Sequence, residues 1–199
     1  MTSPQNTRIA EVSRKTRETS IELRLNLDGT GEVSAITGIG FLDHMIDALG
    51  RHGRLDIDLK VTGDLEVDDH HTAEDCAIVL GTAIDQALGE RRGITRFGDA
   101  CAPLDEALVR AVLDLSGRPW PEVHLDFTRE ALGGLATENI PHFFRSLAIA
   151  GRFCLHLDLL RGENDHHKAE AAFKALAVAL RSAIRLDGTG TIPSTKGAL

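Results

Sequence analysis

The sequence repeats itself, and the repeat restricts the fold more tightly than any other feature. Residues 88 positions apart agree in an earlier block: Arg8 falls on Arg96, Glu18 on Glu106, Leu25 on Leu113, Leu27 on Leu115 and Gly29 on Gly117. Residues 98 positions apart agree in a later block, where His44 falls on His142, Gly53 on Gly151 and Arg54 on Arg152. Two residues then drop out, and Asp69-His70-His71-Thr72-Ala73-Glu74 falls on Asp165-His166-His167-Lys168-Ala169-Glu170. Matches that keep their order through most of the chain point to a duplicated half-domain. A chain of 199 residues is long enough for two such halves around a shared core. The expected division is residues 1–92, residues 93–187 and a Gly-rich tail, residues 188–199, with a charged, Gly-bounded hinge from Gly89 to Gly93.

Hydrophobic spacing gives both copies a similar outline. Ile21, Leu23, Leu25 and Leu27 alternate with polar residues, which predicts a half-buried strand over 19–27. Asp28-Gly29-Thr30-Gly31 reads as a turn, with a returning strand over 32–37. Phe41, Met45, Ala48 and Leu49 share one face of a helix over 41–52, and residues 55–61 alternate again. Ala73, Ala77, Leu80, Ile84 and Leu88 line the buried side of a long helix over 69–88. The second copy predicts strands over 104–115, 122–127 and 153–160 and helices over 138–150 and 165–184. The expected fold class is α+β, an internally duplicated half-domain with antiparallel sheets and helices packed on one face.

Composition narrows the function. The formal charge of −8 is a poor footprint for nucleic acid, although a few local Arg and Lys can still bind a small anion. No run is long and apolar enough for a membrane span, and Met1 to Arg17 has no apolar signal-like segment. Cys76, Cys101 and Cys154 are odd in number and lack CxxC spacing, which predicts a reducing, cytoplasmic setting.

Six of the nine histidines occupy repeated positions: His44, His70, His71, His142, His166 and His167. Each pair is followed by Glu74 or Glu170, and i, i+3 and i, i+4 spacings set these side chains on one helical face. Adjacent histidines point about 100° apart round a helix, so one pair serves two ions more easily than one. Six imidazoles and two carboxylates divide by symmetry into two sites of three His and one Glu, a set that suits Mn²⁺, Fe²⁺ or Zn²⁺. The division expected from symmetry is His44, His71, Glu74 and His166 for one ion and His142, His167, Glu170 and His70 for the other. The alternative, that Asp69 and Asp165 cap helices whose first turns are merely polar, weakens once the whole pattern is duplicated. His52, His124 and His156 have no repeat partner and read as surface or core residues.

Gly40-Phe41-Leu42-Asp43-His44-Met45, Asp69-His70-His71-Thr72-Ala73-Glu74-Asp75 and Asn164-Asp165-His166-His167-Lys168-Ala169-Glu170 resemble the motifs of the imidazoleglycerol-phosphate dehydratase family of histidine biosynthesis. The resemblance runs from about Arg8 to Lys196. It implies half-domains like the second domain of ribosomal protein S5 and a hydro-lyase that converts imidazole glycerol phosphate to imidazole acetol phosphate. It also implies two Mn²⁺ per active site and a homo-oligomer of 24 subunits with sites between subunits. The proton to be lost lies next to an imidazole, not a carbonyl, so the ring must be drawn toward its imidazolate for hydroxide to leave. Glu18 is the candidate proton shuttle, with Glu106 a weaker one, beside His71 and His167 as catalytic metal ligands. The resemblance assigns substrate binding to Glu18 and to Arg96, Arg118, Lys174, Ser194 and Lys196, the last two in a tail that could close over phosphate. Two rivals remain: a di-metal phosphoester hydrolase, which would release inorganic phosphate, and a metal-glued shell protein, which would assemble without turnover.

Overall fold

The computed structural model describes residues 8–199. The first half carries β1 (Ile9–Lys15), β2 (Thr19–Asn26), β3 (Val33–Ile36), α1 (Gly40–Gly53), β4 (Asp56–Gly63) and α2 (His70–Leu88). The second carries β5 (Phe97–Leu104), β6 (Ala107–Asp114), β7 (Trp120–His124), a two-stranded hairpin of β8 (Ala131–Leu132) and β9 (Leu135–Ala136), α3 (Asn139–Ala150), β10 (Cys154–Arg161) and α4 (Asp165–Ala183). Two four-stranded sheets result, ordered β1-β2-β4-β3 and β5-β6-β10-β7. In each, the last pairing is parallel and the others antiparallel. The fold is α+β, as the hydrophobic spacing predicts.

Four differences from the expected elements have physical causes. The strand expected over 104–115 is β6 (Ala107–Asp114), which begins only after a tight hairpin turn at Asp105, whose φ is +46°. β5 itself gave no strand signal because Gly98, Asp99 and Pro103 disfavour one; as an edge strand it tolerates them. Gly98 is required there: a Cβ would come within 2.0 Å of the Ala179 carbonyl oxygen on α4. β1 is also an edge strand, with Ala10 its one fully buried residue, too little alternation to read. The short hairpin β8–β9 lies in a stretch with no periodicity.

The helices cover one face of each sheet and lock the halves together. α2 packs on β1 and β2 of its own sheet, and α4 on β5 and β6 of its own. α1 packs on α4 and α3 on α2, so each half lends a short helix to the long helix of the other. Gly81 on α2 permits that closeness, since a Cβ would meet the Leu147 carbonyl at 2.5 Å. Phe143 and Phe144 on α3 and Phe173 on α4 are buried together, with ring centroids 4.6 Å apart for Phe144 and Phe173. This reciprocal packing positions the site.

Candidate metal centre and active site

Each exchange of helices between halves carries a histidine to a His–Glu pair. On α2, the i, i+4 spacing aligns His70 with Glu74, and α3 brings His142 to them. His142 Nε2 lies 3.1 Å and His70 Nε2 3.8 Å from the Glu74 carboxylate, and the two rings stack at 4.9 Å. On α4, His166 aligns with Glu170, and α1 brings His44. His44 Nε2 and His166 Nε2 stand 3.1 and 3.2 Å from Glu170 Oε2. In both triads one donor atom per residue falls within 4.8 Å of the others. Ligands bonded to one first-row cation at about 2.1 Å stand roughly 3–4 Å apart, so a small contraction seats an ion in either triad. Imidazole and carboxylate without thiolate fit Mn²⁺, Fe²⁺ or Zn²⁺.

The division expected from symmetry is therefore corrected within the chain. His44 meets Glu170, not Glu74, and His142 meets Glu74, not Glu170. The reason is the helix exchange, which pairs α1 with α4 and α3 with α2. His71 and His167, about 100° round their helices from the partner histidine, turn away from both triads. His71 Nδ1 lies 3.0 Å from Asp64, and its Nε2 3.8 Å from Glu18. His167 Nδ1 lies 2.7 Å from Glu106 and its Nε2 3.8 Å from Asp105. A carboxylate on Nδ1 fixes the ring orientation and leaves Nε2 to point outward, the usual support for a metal-binding imidazole. The nearest carboxylates raise both rings' pKa, led by the hydrogen bond to Asp64 for His71 and to Glu106 for His167.

Supporting residues differ between the triads. Asn139 donates its amide to Asp69, which leaves its Oδ1 facing His70 Nδ1 at 2.9 Å. That makes His70 Nδ1 the donor and Nε2 the free lone pair. In the other triad, Lys174 Nζ stands 2.6 Å from Glu170 Oε1. Burial would raise the Glu170 carboxyl, but the hydrogen bonds from Lys174 and His44 hold it at about 2. Asp69 and Asp165 are not the expected side-chain caps. Asp68 accepts from the His70 N–H, and Asn164 accepts from His166 and His167. Asp69 ties the Ala136 N–H and Asn139 to α2, while Asp165 binds Thr128, Arg129 and Lys168.

The expected phosphate donors do not gather at the triads within one chain. Lys174 is beside Glu170 and spends its ammonium there. Arg96 binds Asp114 through two nitrogens and the Pro193 carbonyl at 2.7 Å, which fastens the tail. Arg118 is exposed next to Gly117, whose Cβ would lie 2.9 Å from Leu199. Ser194 Oγ accepts from the Lys196 N–H, and the Lys196 side chain is exposed. Arg96 touches the last turn of α4 through its N–H to Ala183, whereas His166 lies in the first. At 1.5 Å per residue those ends are about 26 Å apart. Asn139, Asp64 and Asp68 are the residues that sequence reasoning missed; none has a repeat partner of its own kind, so the duplication gave no sign of them.

The chain is similar over most of its length to proteins of one family. The family model for imidazoleglycerol-phosphate dehydratase matches residues 37–180. A protein of that name from Roseiflexus sp. (strain RS-1) is 55% identical over 198 residues, covering 98% of this chain and 100% of its own length. The Zymomonas mobilis protein is 53% identical, covering 96% of this chain and 99% of its own. One from Phytophthora nicotianae is 57% identical over 96% of this chain, which spans 42% of that longer protein. The solved Pyrococcus furiosus structure superposes with a TM-score of 0.82 at 37% identity, covering 94% of this chain and 100% of its own. That of the Staphylococcus aureus dehydratase gives 0.81 at 34%, covering 89% and 99%. With a family match across most of its length and relatives more than half identical from end to end, the chain belongs to the imidazoleglycerol-phosphate dehydratase family.

Proposed function

We propose that the chain removes water from imidazole glycerol phosphate to give imidazole acetol phosphate in histidine biosynthesis, as a hydro-lyase using two divalent cations, manganese in the first instance. The observation that carries the reading is the pair of convergent triads, His70–Glu74–His142 and His44–His166–Glu170. Cations held there would supply a Lewis acid that pulls electron density from the substrate's imidazole ring. Each triad offers three ligands, and His71 and His167, with outward Nε2 atoms, are the natural fourth ligands contributed by neighbouring copies. That division also answers the roughly 26 Å between the triad end of α4 and the Arg96 end, since phosphate donors of one copy can face the triads of another. A homo-oligomer with shared sites follows, for which the family resemblance suggests 24 subunits.

Glu18 takes and returns protons at the reacting carbons. Its carboxylate is half exposed and its nearest ionic partner is His71 at 3.8 Å. Glu106 is unsuited to that task. The Asn164 N–H foremost, then the His167 ring and the Glu163 N–H hold its carboxyl at about 2, so it stays ionised. Arg96 holds the Pro193 carbonyl and Gly117, next to Arg118, lies against Leu199, which supports a phosphate-covering role for residues 188–199 with Ser194 and Lys196. Three free cysteines support a reducing, cytoplasmic location, and among the described residues no helix is long and apolar enough to cross a membrane.

The test is incubation of the purified protein with Mn²⁺ and imidazole glycerol phosphate, following the keto product and inorganic phosphate together. Keto product without phosphate release is expected. Phosphate release would mean a hydrolase, and intact assembly without turnover would mean a shell protein.

A further inference from the structure

Overlaying the two halves exposes a polar cluster that only one of them has. Asp75 on α2 is buried, and it accepts from the buried Thr19 hydroxyl at 2.5 Å and from the Arg14 guanidinium. Arg14 lies on β1 and Thr19 opens β2, so the cluster ties the β1–β2 turn to the helix that carries His70, His71 and Glu74. The same turn is stiffened from within. The Thr16 hydroxyl accepts from the N–H groups of Glu18 and Thr19 at 3.1 and 3.0 Å, and the Thr16 N–H donates to the Thr19 carbonyl at 2.9 Å. Glu18 is the one residue of this turn that faces His71.

The repeat positions of Arg14, Thr19 and Asp75 are Ala102, Ala107 and Ala171, all three buried. Packing of strand turn against helix therefore needs no polar group at these places. A buried carboxylate is costly to desolvate and must be paired, so the three alanines of the second half would be the cheaper packing. The β5–β6 turn is held another way. Its own carboxylate, Glu106, accepts from the N–H groups of Glu163 and Asn164 at 3.1 and 2.8 Å and from the His167 ring at 2.7 Å. A carboxylate so occupied cannot also serve substrate. In the first half Asp64 takes over the imidazole, at 3.0 Å from His71 Nδ1, and Asp75 takes over the turn. Glu18 is left with neither duty.

We infer that Arg14, Thr19 and Asp75 are positioning residues that hold the Glu18 turn in reacting register with α2, so that its carboxylate can work without anchoring itself. This rests on the proton-shuttle reading of Glu18.

The experiment uses the assembled, Mn²⁺-loaded protein and measures kcat, KM and bound metal. Thr19→Val keeps the shape and removes the hydroxyl. The triple variant Arg14→Ala, Thr19→Ala, Asp75→Ala copies what the second half already packs. Both should lower kcat, by roughly 10-fold for the single change and 100-fold for the triple, since small misplacements cost that much. KM and metal content should stay within about twofold, and Thr19→Ser should restore kcat to within about threefold of the parent. In a Glu18→Gln background, Thr19→Val should cost nothing further, because the group it positions is gone. If Glu18→Gln collapses kcat while Thr19→Val and the triple variant match the parent, the clamp is overturned and Glu18 stands. If Glu18→Gln itself turns over normally, both are overturned. Should the triple variant fail to fold, the Thr19→Val and Thr19→Ser pair decides the matter.

Discussion

The two triads come from one duplicated scaffold, yet they are not equivalent. Each takes a His–Glu pair from a long helix and one histidine from a short helix of the opposite half. Around the first, Asn139 orients His70, and among the described residues Glu74 has no lysine partner. Around the second, Lys174 grips Glu170 and leaves its carboxyl at about 2, and among the described residues no amide serves His166. The turns beside them diverge further: Glu106 is bound down by three donors, whereas Glu18 is released and its turn is held by other residues. On the function proposed above, duplication would supply two cation sites at once, and divergence of the surrounding residues would leave Glu18 free for acid–base work while Glu106 is held as a structural carboxylate.

Substitutions at the repeated positions separate the roles of the two halves. The largest effect is expected from His71→Ala and His167→Ala, which should lose bound metal and turnover together, with kcat reduced by about 1,000-fold or more. A fully metallated, active His167→Ala protein would remove that residue from the site. Paired variants at the repeated glutamates should separate next. Glu18→Gln should keep metal and assembly while slowing turnover by roughly 10²–10⁴-fold. Glu106→Gln should instead act through His167, weakening metal binding by about 10–100-fold. Equal effects on metal binding from both would erase the distinction. Asn139→Ala should weaken one class of metal site by roughly 10-fold and leave the other unchanged, visible as a biphasic titration.

Smaller changes are expected away from the triads. Lys196→Ala should raise KM for the phosphorylated substrate by about 10-fold through loss of one charge-assisted contact, with kcat little altered. An unchanged KM would contradict the tail's role. Asp56 accepts the N–H groups of Thr30, Gly31 and Glu32 in the first half, where the second half has Cys154 at the repeat position. Burial would raise Asp56, but those N–H groups and the Asn26 amide lower it below the ordinary carboxylate value. A lowered folded-state pKa gives stability that is complete above about pH 4 and is lost as pH falls through the folded value. Asp56→Asn should therefore cost about 1 kcal/mol at neutral pH and flatten the acid limb of the stability curve. Superimposable acid limbs would show that the loop takes nothing from this carboxylate.

Much of this was readable in the sequence because duplication turns single motifs into paired ones. The long helices and the α+β class follow from periodicity, and the eight candidate histidines and glutamates come from the repeated HHxxE motif together with the repeated upstream His44 and His142. How the ligands divide was not readable, because it depends on which helices pack across the halves, and α1 meets α4 through tertiary contact that no local spacing records. Edge strands β1 and β5 escaped for a related reason: half-exposed edges carry weak alternation and tolerate Gly98 and Pro103. Asn139 and Asp64 escaped because they act on histidines from outside the repeated motif. Arg14, Thr19 and Asp75 become conspicuous only when three buried alanines are found at their repeat positions.

On this account two His–Glu triads of one chain hold the cations on which dehydration depends. Metal analysis of the purified protein, paired with turnover of imidazole glycerol phosphate before and after chelation, tests it most directly. About two divalent ions per chain are predicted, with keto product formation abolished by chelation and recovered on adding Mn²⁺. Full turnover by protein stripped of metal would contradict it.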